Sequence, residues 1–237
     1  MIPKVIHYCW FGGKPLPDLA KRCIASWKKY CPDYEIVCWN EENFDIHCCA
    51  YVEQAYKAKK WAFVTDYVRL YVLYNYGGIY MDTDVEVLKP LDFFLPMKAF
   101  SGFEAYDRVP TGIMASKKGH HFIGVLLGEY AGRNFTDANR KYDMTTNVRV
   151  ITNTCVVRGL QLNNQKQTID DFTLYPCEYF CPKNPHTKEI RITQNSYAIH
   201  HFDGSWLTPS QRIKERIKEL LGPDITRFIQ KLKSKGR

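Results

Sequence analysis

At 237 residues, with 45% hydrophobic and 24% charged residues, the chain has the composition of one soluble globular domain plus a short appendage. No apolar run approaches the ~20 residues that cross a bilayer, and the opening MIPKVIHYCW lacks a charged region followed by a long apolar stretch, so a cytoplasmic protein is expected. The net charge of +8 is concentrated in residues 211–237, which hold nine Lys and Arg against three acidic residues; a near-neutral body with a basic end argues against a nucleic-acid binder.

In chain order, KVIHYCWF (residues 4–11) reads as a buried first strand, followed by a Gly-Gly-Lys-Pro loop. Residues 17–30 read as a helix, with Leu19, Cys23, Ile24 and Trp27 near helical spacing, and YEIVCWN (34–40) as a second strand. That strand–helix–strand order predicts parallel pairing in an α/β sheet. Residues 61–76 are apolar or aromatic almost all round, the pattern of a helix buried on most sides, and Gly77-Gly78 ends it. A short strand IYMD brings Asp82 and Asp84 to its end, and VEVLKP leads away. Strands are expected near 99–103 and 112–116, and helices over 120–131 and 147–158. The apolar stretch SYAIHHF precedes DGSW, and two short basic helices over 209–221 and 224–234 close the chain. The division is a body over 1–208 and a basic amphipathic tail over 209–237. Nine cysteines at spacings such as Cys48-Cys49 and Cys177 to Cys181 give no paired zinc frame and are expected to be reduced packing residues.

The segment YNYGGIYMDTDVEVLKP sets the functional question. A lone Asp-x-Asp is weak, since either acid serves equally well in a turn or a cap. In open α/β sheets, however, ligands bind outside the carboxyl ends of the strands. Two carboxylates there, one residue apart, approach a single hard divalent cation directly or through water, and such a cation brings a diphosphate whose charge it neutralises. Asp66 and Arg69, three apart on the buried helix, form either a mutual salt bridge or a pair that bonds sugar hydroxyls, where a planar multidentate group is suited.

FVTDYVRLYVLYNYGGIYMDTDVEVLKPLD resembles the sugar-binding segment of glycosyltransferase family 32, which includes yeast-type initiating mannosyltransferases and bacterial capsule and lipopolysaccharide transferases. It is also similar to the glucosyltransferase domains of large clostridial toxins. The shared pattern is Asp, two residues, Arg, a tyrosine-rich stretch, Gly-Gly-Ile-Tyr and Asp-x-Asp. IPKVIHYCWFGGKPLP resembles the family's opening strand and AIHHFDGSW its closing segment, so the likeness spans roughly residues 2–206.

The resemblance implies a GT-A fold, a Rossmann-like sheet binding a nucleotide sugar with Mn²⁺ or Mg²⁺, and transfer with retention of anomeric configuration. It places Trp10 on the nucleotide base, with UDP preferred over GDP, and Gly12-Gly13 near the ribose. Asp84 becomes the direct metal ligand, and Asp82 meets the metal through water or contacts the ribose. Asp66 and Arg69 hold the sugar, Tyr80 lines the pocket, and Trp206 lies beside the diphosphate. His200 and His201 are adjacent, so on a strand they point to opposite faces and at most one meets the metal; spacing to Trp206 favours His201. Thr145, Thr146 and Asn147 cap a helix or touch substrate hydroxyls. The expected acceptor is a saccharide, including lipid-linked ones in bacterial surface polysaccharide synthesis. The tail suits peripheral contact with an anionic inner membrane face.

Overall fold

The structure is a computed structural model that describes residues 1–109, 112–185 and 187–204. Strand β1 (Val5–Cys9), helix α1 (Asp18–Tyr30) and strand β2 (Glu35–Trp39) form the predicted parallel unit, in register from Val5 opposite Glu35 to Cys9 opposite Trp39. Helix α1 needs no side-chain cap: Pro17 precedes it, Asp18 sits in its first turn and Lys28 and Lys29 in its last, matching the helix dipole. Its Ala20, Cys23 and Trp27 are buried on one stripe. Helix α2 (Ala50–Lys57) and helix α3 (Trp61–Asn75) follow. The near-continuous burial of α3, from Phe63 to Leu73, is what its all-round apolar sequence requires.

Strand β3 (Gly78–Met81) returns parallel to β1 on the side away from β2. Gly77 and Gly78 both have positive φ, and a Cβ on Gly78 would lie 2.7 Å from the Val5 carbonyl oxygen, so the turn from α3 into β3 admits only glycine. Strand β4 (Val85–Val87) leaves the main sheet. Strands β5 (Ala99–Gly102) and β6 (Ile113–Ser116), helices α4 (His121–Gly128) and α5 (Asn147–Val157), strands β7 (Gln167–Ile169) and β8 (Phe172–Tyr175), helix α6 (Cys177–Phe180) and strand β9 (Ala198–His200) complete the described chain.

The main sheet has the order β2-β1-β3-β6-β5-β8-β7, and β4 pairs antiparallel with β9 in a separate ribbon. The expected parallel arrangement holds for β2-β1-β3; beyond β3 the sheet is mixed, because β6 runs antiparallel to both β3 and β5. Two reversals restore direction, so the carboxyl ends of β1, β3 and β5 open on the same edge. Chain order reverses at β1, with β2 on one side and β3 on the other, and the crevice beside such a reversal is where open α/β sheets bind ligands. One apolar core fills the face covered by α2, α3, α4 and α5, and a second the face covered by α1 and α6. All nine cysteines are free thiols, and Cys9, Cys23, Cys31, Cys155 and Cys181 are buried. Among the described residues no helix is long and apolar enough to cross a membrane.

Candidate active site

Asp82 is the first residue past β3, and its backbone N–H donates to the Gly112 carbonyl at 2.8 Å, extending the ladder with β6 by one step. The Val85 N–H donates to the Asp82 carbonyl at 3.0 Å, closing the turn that carries Asp84 back toward the same edge. The far side of that turn is anchored from the core: the Trp27 indole N–H donates to the Val85 carbonyl at 2.7 Å, and the Ser26 hydroxyl accepts from the Val87 N–H at 2.9 Å. Two carboxylates are thus presented on a fixed backbone.

Pairing of β4 with β9 sets Val85 opposite His200, and His200 Nε2 lies 3.3 Å from an oxygen of Asp84. Asp82, Asp84 and His200 offer ligand atoms that all lie within 4.8 Å of one another. The expectation that His201 joins the carboxylates is therefore corrected in favour of its neighbour. His201 projects from the opposite face, with its Nε2 2.8 Å from Glu86, while its backbone N–H donates to the Asp84 carbonyl at 2.9 Å. Asp84 also accepts from the Asp203 N–H at 2.8 Å. Burial alone would raise the Asp84 carboxyl, but the His200 imidazole and the backbone N–H groups of Asp203 and of Asp84 itself hold it down to about 2. Burial opposes a charge on His200 too, and the Asp84 carboxylate overrides it, raising His200 well above its ordinary value.

Arg69 is almost wholly buried and joins both acid sites. Its guanidinium lies 3.1 Å from Asp82 and 3.5 Å from Asp66, with its plane 4.6 Å above the Tyr80 ring. The first alternative for the Asp66–Arg69 pair, a mutual ion pair, is thus present, within a network that also reaches Asp82. Tyr80 is buried, and its hydroxyl donates to Asp82 at 3.1 Å. Asp66 accepts from the Asn147 N–H at 3.1 Å, and the Asn147 side-chain amide donates to the Asp66 carbonyl at 3.1 Å. Burial pushes the Asp66 carboxyl up to about 6, against the pull of Arg69 and Asn147. Thr146 caps α5 through the Arg149 N–H, as expected.

Trp10 follows β1 directly and is half-buried, with its indole N–H donated to the Lys14 carbonyl. Gly12 and Gly13 have φ of 90° and 65°, and a Cβ on Gly12 would lie 2.8 Å from the Trp61 ring. The Gly12 N–H donates to Glu41 at 2.7 Å, and Glu41 also accepts from the Tyr56 hydroxyl. Trp10, Gly12 and Gly13 thus border the β1 side of the crevice, and Asp66, Arg69, Asp82, Asp84 and His200 its β3 side. Glu41 and Trp61 carry no motif of their own in the sequence; only the turn geometry of Gly12 brings them here. Trp206 and the tail over 209–237 lie outside the described residues.

The residues fit a divalent cation. Two carboxylates and an imidazole form the donor set, the oxygen and nitrogen ligands that such a cation takes. An imidazole in the set suits Mn²⁺ better than Mg²⁺.

Residues 17–101 match the family model described as a glycosyltransferase sugar-binding region containing a DXD motif. The chain is 30% identical over 130 residues to inositol phosphoceramide mannosyltransferase 3 of Schizosaccharomyces pombe, covering 52% of this chain and 35% of that protein. It is 25% identical over 227 residues to an uncharacterized glycosyltransferase of Acanthamoeba polyphaga mimivirus, covering 87% of this chain and 84% of that one. The chain thus spans about a third of the length of the fungal relative and most of the viral one. Among solved structures, PaToxG glycosyltransferase superposes with a TM-score of 0.50 at 20% identity, over 67% of this chain and 72% of that one. That likeness is one of fold, and it agrees with the expected GT-A architecture.

Proposed function

We propose, from the premise that residues 17–101 carry a glycosyltransferase sugar-binding region containing a DXD motif, that this chain is a metal-dependent retaining glycosyltransferase acting on a nucleotide sugar. The observation that carries the reading is the single network from Asp66 through Arg69 to Asp82, with Asp84 and His200 beside it at the strand-end crevice. Charged groups are rarely buried together without a task, because apolar residues of the same volume would stabilise the fold as well or better. A metal ligand set adjoining an Asp–Arg pair matches the needs of a sugar diphosphate.

In this reading Asp82, Asp84 and His200 hold Mn²⁺ or Mg²⁺, and His200 loses its proton to become a ligand. The cation supplies neutralisation of the diphosphate charge when bound. Arg69, fixed between two carboxylates and stacked on Tyr80, donates to sugar hydroxyls with no freedom to reorient, and Asp66 accepts from them. Asn147 positions Asp66 by bonding both its carboxylate and its backbone. Trp10 stacks the base, Gly12 and Gly13 admit the ribose close to the backbone, and Trp206 adds a donor beside the phosphates.

The transferred unit is a hexose or N-acetylhexosamine, with UDP the preferred carrier. The mannosyltransferase relatives support a hexose, and their inositol phosphoceramide acceptor supports a saccharide or inositol on a lipid. The resemblance of the Asp-x-Asp segment to bacterial capsule and lipopolysaccharide transferases supports surface polysaccharide synthesis as the setting. A nucleotide-sugar binder without turnover, or a donor hydrolase, is the alternative.

The test is a screen of UDP-glucose, UDP-galactose, UDP-N-acetylglucosamine and GDP-mannose by thermal shift with Mn²⁺, followed by turnover with and without saccharide acceptors. Binding of N but not of the unfolded chain raises the melting temperature. A Mn²⁺-dependent stabilisation by one sugar nucleotide and acceptor-dependent release of the nucleoside diphosphate are expected; absence of any stabilisation overturns the reading. Trp10→Ala is expected to weaken binding of free nucleoside diphosphate by about 1–3 kcal/mol, the range for base stacking on an aromatic ring. Calorimetry measures it, and an unchanged affinity returns Trp10 to packing alone.

A further inference from the structure

The donor reading leaves one acid at the same edge unused. Glu104 lies two residues beyond the end of β5, and β5 runs parallel to β3 with β6 between them. Two strand spacings separate β3 from β5, roughly 10 Å, about the width of one pyranose ring with its hydroxyls. The donor reading assigns residues at the β1 and β3 ends and on the α3 face, and leaves the β6–β5 side of the edge unassigned.

Glu104 is half-buried, and its carboxylate makes no hydrogen bond or ion pair with a described residue. The nearest cation in sequence is committed elsewhere: the Arg108 guanidinium bonds both oxygens of Asp107, at 2.9 and 3.1 Å. The 104–108 turn is closed by backbone alone, with the Glu104 N–H donating to the Arg108 carbonyl at 3.0 Å. The loop is then tied to α5 by the Val109 N–H donating to Thr152 at 3.1 Å. Glu104 therefore sits on a held backbone that its own side chain does not help to hold. Burial raises its carboxyl above the ordinary value, and the groups that act on it electrostatically are His200 and Asp82 of the site together with Arg108 and Asp107 of its own turn. A structural glutamate at a surface turn would be solvated or paired.

On the reading of the crevice as a glycosyltransferase site, we infer that Glu104 is the acceptor-side specificity residue: its carboxylate accepts a hydrogen bond from a hydroxyl of a saccharide or cyclitol acceptor entering between the ends of β3 and β5. The contact fixes which acceptor hydroxyl faces the donor sugar. A carboxylate suits this task because it accepts from a hydroxyl and has no proton of its own to offer at neutral pH.

The experiment uses full-length protein with Mn²⁺ and the donor selected by the screen. The acceptors are the methyl glycosides of mannose, galactose, glucose and N-acetylglucosamine, together with myo-inositol. With the best of these, Glu104→Gln is expected to raise the acceptor KM about tenfold, the cost of one charge-assisted hydrogen bond. Its donor KM and its affinity for Mn²⁺ with nucleoside diphosphate should stay within about twofold of wild type on the same argument. Deoxy analogues of that acceptor supply the second reading: one of them loses rate with wild type but no further rate with Glu104→Gln. Asp107→Asn, which alters the same loop, should match wild type. An unchanged acceptor KM, or acceptor and donor constants that shift together, overturns the inference and leaves the transferase reading standing. If wild type turns over none of these acceptors with any donor, the transferase reading fails and this one with it.

Discussion

Asp84→Asn is expected to lower glycosyl transfer by about a thousandfold, the upper range for removing one preorganised electrostatic contact from a site where charge develops. The substitution is isosteric, so an oxygen can still accept from the Asp203 N–H, and the β4–β9 ribbon keeps its ladder. What disappears is the charge. Asp84 is the carboxylate held down to about 2 and so ionised at neutral pH, whereas burial raises Asp82. Mn²⁺ titration in the presence of nucleoside diphosphate should show the loss of affinity directly, and an unchanged urea midpoint should show that the fold survives. A folded Asp84→Asn protein that binds Mn²⁺ and turns over normally would remove the acid from the metal site.

Arg69→Ala is expected to destabilise the protein by about 3–5 kcal/mol, the cost of leaving buried charges uncompensated. Arg69 is 4% exposed and lies between Asp66 and Asp82, so its removal strands two carboxylates at once. The pH dependence follows from Asp66, whose carboxyl is raised from 3.8 to about 6 in the folded protein. A raised acid takes up a proton more readily folded than unfolded. The stability this contributes is complete below about 3.8 and is lost as pH rises through about 6. Without Arg69 both acids rise further, so the deficit of the variant should shrink between pH 8 and pH 5. Urea unfolding at the two pH values measures it. In the folded fraction, affinity for the sugar nucleotide should fall more than affinity for the nucleoside diphosphate alone if Arg69 holds the sugar as proposed; equal losses would assign it to structure only.

Much of this was legible in residue order because burial writes a period. The stripe of α1 and the all-round apolarity of α3 each correspond to one local pattern, and the Asp66–Arg69 spacing follows from helix geometry. The hairpin of β7 and β8 was not legible: QTI and FTLY are short and half polar, and the turn between them uses Asp170 and Asp171 at positive φ rather than glycine. Helix α2 escaped because eight residues give too few turns for a period to stand out. At the site, alternation established that His200 and His201 face opposite ways but not which faces Asp84; that depends on the register of β4 with β9, a long-range pairing with no local signature. Glu104 and Glu41 were invisible for the same reason, since each is an ordinary polar residue until a strand from elsewhere in the chain fixes its surroundings.

The β4–β9 ribbon also sets an order of events during synthesis. The aspartates leave the ribosome more than a hundred residues ahead of the histidine and the Asp203 amide that complete their surroundings, a separation of 119 positions in the case of Asp84 and Asp203. A nascent chain can finish β1, β2, α3 and β3 and still lack His200. The candidate site is therefore completed in one late step, when β9 docks on β4, and a polypeptide truncated before residue 198 would carry only Asp82 and Asp84 of the three clustered side chains.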